Sequence, residues 1–374
     1  MDPLRILLVS RVFWPNLGGI EKHVEWLAGH LIARGHQVTV LTLDRAFEDG
    51  RALPATDRLG PIPILRVPYH GSNRYPIAPS VLRHVAGHDV VHVHAVDFLA
   101  DWLTATRPIH RVPVVLSTHG GFFHTAFASR AKRLWFQTMT RALTRAVDAL
   151  VYTSDQDEEV FRAVTDRGVV IRTGVAIERW MRLSPAPIPG RWITVGRVDV
   201  HKGLGHLLRV LARVRDRDPR PFEAHIIGPE VVDGLVARLA VDRHALGLDD
   251  RVHFEGRVDD PTLDALVQTA ELGLWPADYE SFGISVVETM AAGVYPVLND
   301  IRAFRYFHAP GAGVLTRFDD VDAAAAAIQT ARDHAPAVDA VRAVAARYDW
   351  STVVLALEEV YRAVIAARGG PGLS

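Results

Sequence analysis

Two doubly wound α/β domains are predicted by three features of this 374-residue chain. Its length exceeds what one ordinary core uses, at roughly 100–200 residues per domain. Short, almost wholly apolar runs alternate with amphipathic stretches, the pattern of parallel strands buried on both faces and connected by helices. Residues 184–190, Ser-Pro-Ala-Pro-Ile-Pro-Gly, place three prolines in seven positions, and the alternation restarts after them. The expected layout is a first domain over 1–183, a linker over 184–190 and a second domain over 191–349, the two domains facing a cleft.

Residues 5–10 carry the apolar run Ile6-Leu7-Leu8-Val9 and form the first strand. Pro15-Asn16-Leu17-Gly18-Gly19 makes a loop, then Val24, Leu27, Leu31 and Ile32 recur at helical spacing until Gly35 stops the helix. Residues 37–43 supply the second strand and complete a right-handed βαβ unit. Further strands are expected at 64–67, 90–94, 112–117 and 149–152. Beyond the break, strands at 192–195, 223–227, 252–255, 272–275 and 297–299 alternate with helices at 206–213, 261–269 and 285–292. The alanine-rich residues 322–332 and the final 351–368 are helical, and no period of solenoid length recurs.

Composition narrows the function. The 42 basic and 43 acidic residues leave a net charge of −1, so nucleic-acid binding through overall charge is not expected. Residues 1–185 nevertheless hold 22 Lys and Arg against 17 Asp and Glu, so the first half suits an anionic surface better than the second. The absence of cysteine removes disulfides, thiolate metal sites and cysteine nucleophiles. The first apolar run is too short for a signal-peptide core and no 18-residue apolar run exists, so a cytoplasmic chain is expected.

Chemistry concentrates where strands end. Gly18-Gly19 lies between a strand and a helix, where backbone amides can approach a phosphate or simply make a tight turn. In the second domain Arg197 and Lys202 follow a strand, the position at which open α/β sheets bind ligands, and two cations there can neutralise a diphosphate. Glu280 sits in the loop after another strand, and a helix start near Gly283 offers the amides of Phe282, Gly283 and Ile284 to an anion. Glu288, roughly 7 Å further along the helix axis, can grip a second sugar. His119 follows a strand and can hydrogen-bond a hydroxyl or a carbonyl, although a packing role also fits.

Other candidates are weaker. His92 and His94 share one strand face, but no third ligand is spaced near them, which favours packing over metal binding. Asp155-Gln156-Asp157 reads as a capped helix start and not as a metal–nucleotide motif. Arg130, Arg133, Arg141 and Arg145 fall on one face of a helix, with Lys132 on the apolar side. Both an interfacial helix on anionic lipid and an ordinary surface helix fit that pattern.

Gly18-Gly19, His119, Arg197 with Lys202, and the Glu280–Glu288 pair together resemble the retaining glycosyltransferases of family 4, over nearly the whole chain. Residues 74–83 and 117–125 are similar to the α-mannosyltransferases that extend a polyprenyl-diphosphate-linked cellobiose in xanthan- and acetan-type exopolysaccharide assembly. The resemblance implies a GT-B fold whose C-terminal helix, 350–374, returns to the first domain and ends in a flexible tail. It also implies GDP-mannose as donor, held in the second domain, and a lipid-linked oligosaccharide as acceptor, held in the first. By motif, Arg197 and Lys202 hold the diphosphate and Glu280 meets the hexose. Glu288 binds ribose, His119 contacts the transferring sugar, and Gly18 and Gly19 let a loop close over it. No metal cofactor is expected if these groups supply the positive charge. Arg74, Tyr75, Arg130, Lys132 and Arg133 are candidate acceptor or membrane contacts, on the inner face of the cell membrane. One departure is visible: two residues, Val294 and Tyr295, separate Gly293 from Pro296, where many members have one. Three rivals stand beside this reading: a family 4 transferase with another nucleotide-sugar donor, a sugar-nucleotide epimerase on the same architecture, and a non-catalytic nucleotide-sugar or lipid-binding module.

Overall fold

The computed structural model describes residues 2–369 apart from 17, 48, 73–74, 120–137, 139–140, 163–164, 166–167, 281 and 335–337. The chain forms two compact units, Met1–Gly174 with Trp350–Ser374, and Val175–Asp349. The proline run expected as a linker falls inside the second unit. Its available amides are paired there: Ala186 and Ile188 donate to the carbonyls of Gln268 and Thr269 at 2.9 Å, and Gly190 donates to the Glu271 carboxylate at 2.7 Å. Prolines carry no amide, so the segment can lie extended against a helix end without leaving donors unpaired.

In the first unit the strands are β1 (Arg5–Ser10), β2 (Gln37–Leu43), β3 (Thr56–Leu59), β4 (Ile62–Val67), β5 (His70–Ser72), β6 (Tyr75–Ile77), β7 (Val90–His94), β8 (Val114–Ser117), β9 (Ala149–Tyr152) and β10 (Val169–Val170). The main sheet has the order β10-β9-β8-β7-β1-β2-β4-β3, and only the β3–β4 pair is antiparallel. Strand order reverses beside β1, so the crevice of this sheet opens outside the ends of β1 and β7. Edge strand β3 reads Thr-Asp-Arg-Leu and has no apolar run, so hydrophobic patterning alone does not reveal it.

The second unit holds β11 (Arg191–Val195), β12 (Glu223–Ile227), β13 (Val252–Gly256), β14 (Leu272–Trp275), β15 (Tyr295–Asn299) and β16 (Val314–Thr316) in one parallel sheet of order β13-β12-β11-β14-β15-β16. Its reversal lies between β11 and β14. Buried Leu207, Leu208 and Leu211 from the Leu204–Arg217 helix and Val286, Val287 and Met290 from the Ile284–Ala291 helix build one core around the sheet. These are the two helices that follow β11 and β14.

The C-terminal helix, Trp350–Gly369, belongs to the first unit, where it packs on the Gly19–Ala33 helix. Glu358 is buried and fixes it there: Arg34 ion-pairs with the carboxylate, and His36 Nε2 lies 3.0 Å from Glu358 Oε1. His36 Nδ1 accepts the Leu4 amide at 3.0 Å, so the proton of this imidazole sits on Nε2 and is donated to Glu358.

Candidate active site

Both charged residues predicted to hold a diphosphate lie at the reversal point of the second sheet. Gly196 ends β11 and hydrogen-bonds to Ile227 of the neighbouring strand. Exposed Arg197 follows, and Val200–Lys202 forms one 3-10 turn before the Leu204–Arg217 helix. Arg197 and Lys202 line one pocket with Gly196, Trp275 and Pro276. The loop after β14 is tied to that turn, because the Asp278 amide donates to the His201 carbonyl at 3.0 Å. Asn299, at the end of β15, holds the same loop through a 2.9 Å bond from its Nδ2 to the Ala277 carbonyl.

Within this frame Lys202 ion-pairs with Glu280, each side chain about one-fifth exposed (22% and 19%). Two residues singled out for different groups of one ligand therefore touch each other. Gly283 precedes the Ile284–Ala291 helix with φ of 103° and brings no capping side chain; its carbonyl takes the amides of Val286 at 3.0 Å and Val287 at 3.3 Å, so the helix start has no side-chain competitor for an anion. The Phe282 side chain does not enter the site; it packs edge-on against Phe307 and Tyr348, each at 5.5 Å between centroids. Exposed Ile284 opens the helix. Burial raises the Glu288 carboxyl to about 7, against the opposing field of Arg179 and a hydrogen bond with the Trp180 side chain.

The first unit presents a different chemistry at its own reversal point. Gly18 is extended, and a Cβ there would stand 2.3 Å from Glu21 Oε2, whereas a Cβ at Gly19 would meet nothing within 4 Å. Gly18, Glu21 and Lys22 line a pocket with Phe13, Trp14 and Asn16. His119 follows β8 with φ of 48°, and Ala95 follows β7 with φ of 86°, both unusual for residues with a Cβ. Asp157, within the Asp155–Arg162 helix, anchors this end by accepting the hydroxyls of Thr118 at 2.7 Å and Thr153 at 3.0 Å.

Four imidazoles gather here. His94 Nδ1 lies 3.0 Å from His119 Nε2. His92 is held between Tyr361 Oη at 2.6 Å and Ser117 Oγ at 2.8 Å. His23, from the Gly19–Ala33 helix, sits 4.6 Å from His119 and 5.0 Å from Trp350 between ring centroids. Burial keeps all four neutral, lowering His92 to about 3 and His119 to about 4, and pushing His23 and His94 well below the usual range. His92 and His94 are both buried and packed, as expected of the pair, but His23 and His119, distant in sequence, converge on His94 and make a second grouping that spacing along one strand does not reveal.

Arg74, Arg130, Lys132 and Arg133 lie outside the described residues, and Tyr75 is described as the first backbone position of β6. Of the basic helix, Arg141–Ala146 is described, with Arg141 and Arg145 exposed and Thr144 buried. Among the described residues no helix is long and apolar enough to cross a membrane.

Residues 17–179 match the model for Glycosyltransferase Family 4, and residues 189–340 match Glycosyl transferases group 1. The chain is 39% identical over 379 aligned residues, covering 97% of both sequences, to the GDP-mannose:cellobiosyl-diphosphopolyprenol alpha-mannosyltransferase of Xanthomonas campestris. It is 36% identical to the protein of that name in Komagataeibacter xylinus, over 97% of this chain and 94% of the relative. A phosphatidyl-myo-inositol mannosyltransferase of Mycolicibacterium smegmatis is 29% identical over 97% of this chain and 95% of its own length. Among solved structures, a glycosyltransferase from Rickettsia africae superimposes with a TM-score of 0.73 at 16% identity, covering 98% of this chain and 99% of that one. Sucrose-phosphate synthase from Thermosynechococcus elongatus gives 0.68 at 20%, covering 97% and 100%. Those two likenesses establish the fold, two Rossmann-like sheets of the GT-B kind. With near-full-length identity of 36–40% to named mannosyltransferases, the chain belongs to glycosyltransferase family 4.

Proposed function

We propose that this chain transfers mannose from GDP-mannose to polyprenyl-diphosphate-linked cellobiose, forming an α-linkage with retention. The observation that carries the reading is the near-full-length similarity to enzymes of that name, joined to a cationic strand-end site in the second unit. Arg197, Lys202 and the uncapped start of the Ile284–Ala291 helix supply positive potential for a diphosphate. The Lys202–Glu280 pair supports a division of labour. A diphosphate draws Lys202 away, and Glu280 is then released to accept hydrogen bonds from the hexose.

In the proposed step the acceptor hydroxyl oxygen forms a bond to the anomeric carbon as the bond from that carbon to the β-phosphate oxygen breaks. The hydroxyl proton passes to the departing phosphate oxygen, and GDP leaves from the same face. Charge develops on the diphosphate, where Arg197, helix amides and Lys202, once drawn from Glu280, would stabilise it, and such electrostatic stabilisation is often the largest catalytic effect. His119 is neutral. It serves as a hydrogen-bonding partner for the hexose, not as a cation. The basic segment carrying Arg130, Lys132, Arg133, Arg141 and Arg145 would hold the chain against anionic lipid on the cytoplasmic side, beside its acceptor.

The test is twofold. Calorimetric titration with GDP-mannose, GDP-glucose and UDP-glucose should show selective binding of GDP-mannose, and GDP should be released only when lipid-linked cellobiose is added. Release without acceptor, or preference for a uridine donor, defeats the assignment. Flotation with anionic vesicles at low salt tests the lipid contact, and failure to float retires it.

A further inference from the structure

We propose that His23, His94 and His119 form a binding site for one divalent transition-metal ion of the zinc class, and that occupation of this site inhibits transfer. One nitrogen of each ring lies within 4.8 Å of one nitrogen of each of the others. Ligands on a tetrahedral ion with bonds of about 2.0–2.1 Å stand about 3.3 Å apart. His94 Nδ1 and His119 Nε2, 3.0 Å apart, are already at such a spacing. His23 then has to close by no more than about 1.5 Å, which a side-chain rotation provides.

The donors are in the state an ion requires. His23 Nδ1 is buried and finds no hydrogen-bond partner among the described residues. Buried nitrogens left in this way are rare enough to need a reason. With His94 Nδ1 turned to the ion, that ring carries its proton on Nε2. A set of three imidazoles without a carboxylate selects zinc, copper or nickel over magnesium or calcium. The surroundings also fit: His92 packs 4.2 Å from His94, itself fixed by Tyr361 and Ser117, and Trp350 stands against His23. His119 keeps partial exposure, which gives an ion a way in.

The inhibitory consequence rests on the role proposed above for His119, since a nitrogen bound to metal is no longer available to the hexose; the binding itself does not rest on it. Co2+ titration of the purified full chain, followed by visible absorption, tests the site. One equivalent should give the intense bands of a four- or five-coordinate ion, which added Zn2+ abolishes. The bands should disappear in His23→Gln and in His94→Gln and persist in His244→Gln, a surface position 84% exposed. No such bands in the unmodified chain overturn the site whether or not the variants fold. Bands that survive in both folded cluster variants overturn it as well. Mannosyl transfer falling in step with Co2+ occupancy supports inhibition, whereas full turnover at one bound equivalent overturns it. A metal-free chain with no transfer activity would instead count against the proposed function, with the cobalt bands still reporting the site.

Discussion

The two units reverse their strand order in the same way but furnish the resulting crevices with opposite materials. At the end of β11 and β14 stand exposed Arg197, the partly exposed Lys202–Glu280 pair and a helix start without a cap. At the end of β7 and β8 stand neutral, largely buried imidazoles packed ring against ring and pinned by the C-terminal helix. A leaving diphosphate needs charge that can be exchanged, and charge that can be exchanged has to remain solvated. A neutral sugar needs hydrogen bonds fixed in place, which burial provides. Substitution in the second unit should therefore cost turnover, and substitution in the first should cost folding.

Lys202→Ala is the largest expected effect. Turnover at saturating donor should fall by at least about 10²-fold, as when a charge-stabilising donor is removed. The stability cost should stay within about 3 kcal/mol, because the change takes one cation from a Glu280 carboxylate that is only 19% exposed. Steady-state kinetics and urea unfolding on one preparation decide it. Near-normal turnover, or a collapse of stability, breaks the contrast from the charged side.

Tyr361→Phe probes the other side. The change removes the hydroxyl 2.6 Å from His92 Nδ1 and leaves that nitrogen buried without a partner. A loss of about 1–3 kcal/mol is expected. The urea midpoint should drop while the donor KM of the folded fraction stays put. An unchanged midpoint would mean that the imidazole group is not a folding element.

How much of this was legible in the sequence follows from the same contrast. Arg197, Lys202 and Glu280 are each local to the end of one apolar run, so reading where strands stop was enough to find them. Their mutual pairing was not visible, because it spans 78 positions. His23, His94 and His119 belong to a helix and two strand ends, and only the parallel register of β1, β7 and β8, which aligns Ser10 with His94 and His94 with Ser117, gathers them. The pair His92 and His94 was the one signal available. Boundaries failed where chemistry was ambiguous: a proline run reads as a linker whether it hangs free or lies along a helix end, as 184–190 does.

The acidity of Glu288 sharpens the comparison through pH. Its carboxyl is raised from 4.5 to about 7 by burial, so the folded chain holds this proton more tightly than the unfolded chain. The stability it contributes is complete below about 4.5 and is lost as pH rises through about 7. If Glu288 holds the donor ribose, as the family resemblance implies, donor binding should run the opposite way, because the ionised carboxylate is the better acceptor for hydroxyls. Affinity should weaken toward about tenfold per unit as pH falls below that value. Glu288→Gln should flatten both profiles. The clustered imidazoles of His23, His92, His94 and His119 add no step in this range, having been lowered by burial. A step that persists in Glu288→Gln would therefore place the titrating group elsewhere.

The smallest effect separates two glycines that look alike in the sequence. Gly283 has φ of 103°, and a Cβ there would stand 3.0 Å from both Phe304 and Phe307, so the backbone and the core both demand glycine. Gly283→Ala should lose at least about 1–2 kcal/mol from the left-handed conformation alone. Gly19 opens a helix at ordinary φ, and its Cβ would point into open space. Gly19→Ala should leave stability unchanged or raise it by less than about 1 kcal/mol, since alanine restricts the unfolded chain. Nothing among the described residues requires a glycine there, so a ligand is the one demand this substitution can report. Turnover that falls in Gly19→Ala while the urea midpoint holds or rises would locate that ligand against the backbone of the Gly19–Ala33 helix start. Unchanged turnover would reduce Gly18-Gly19 to a plain turn and leave the histidines as the first unit's whole contribution.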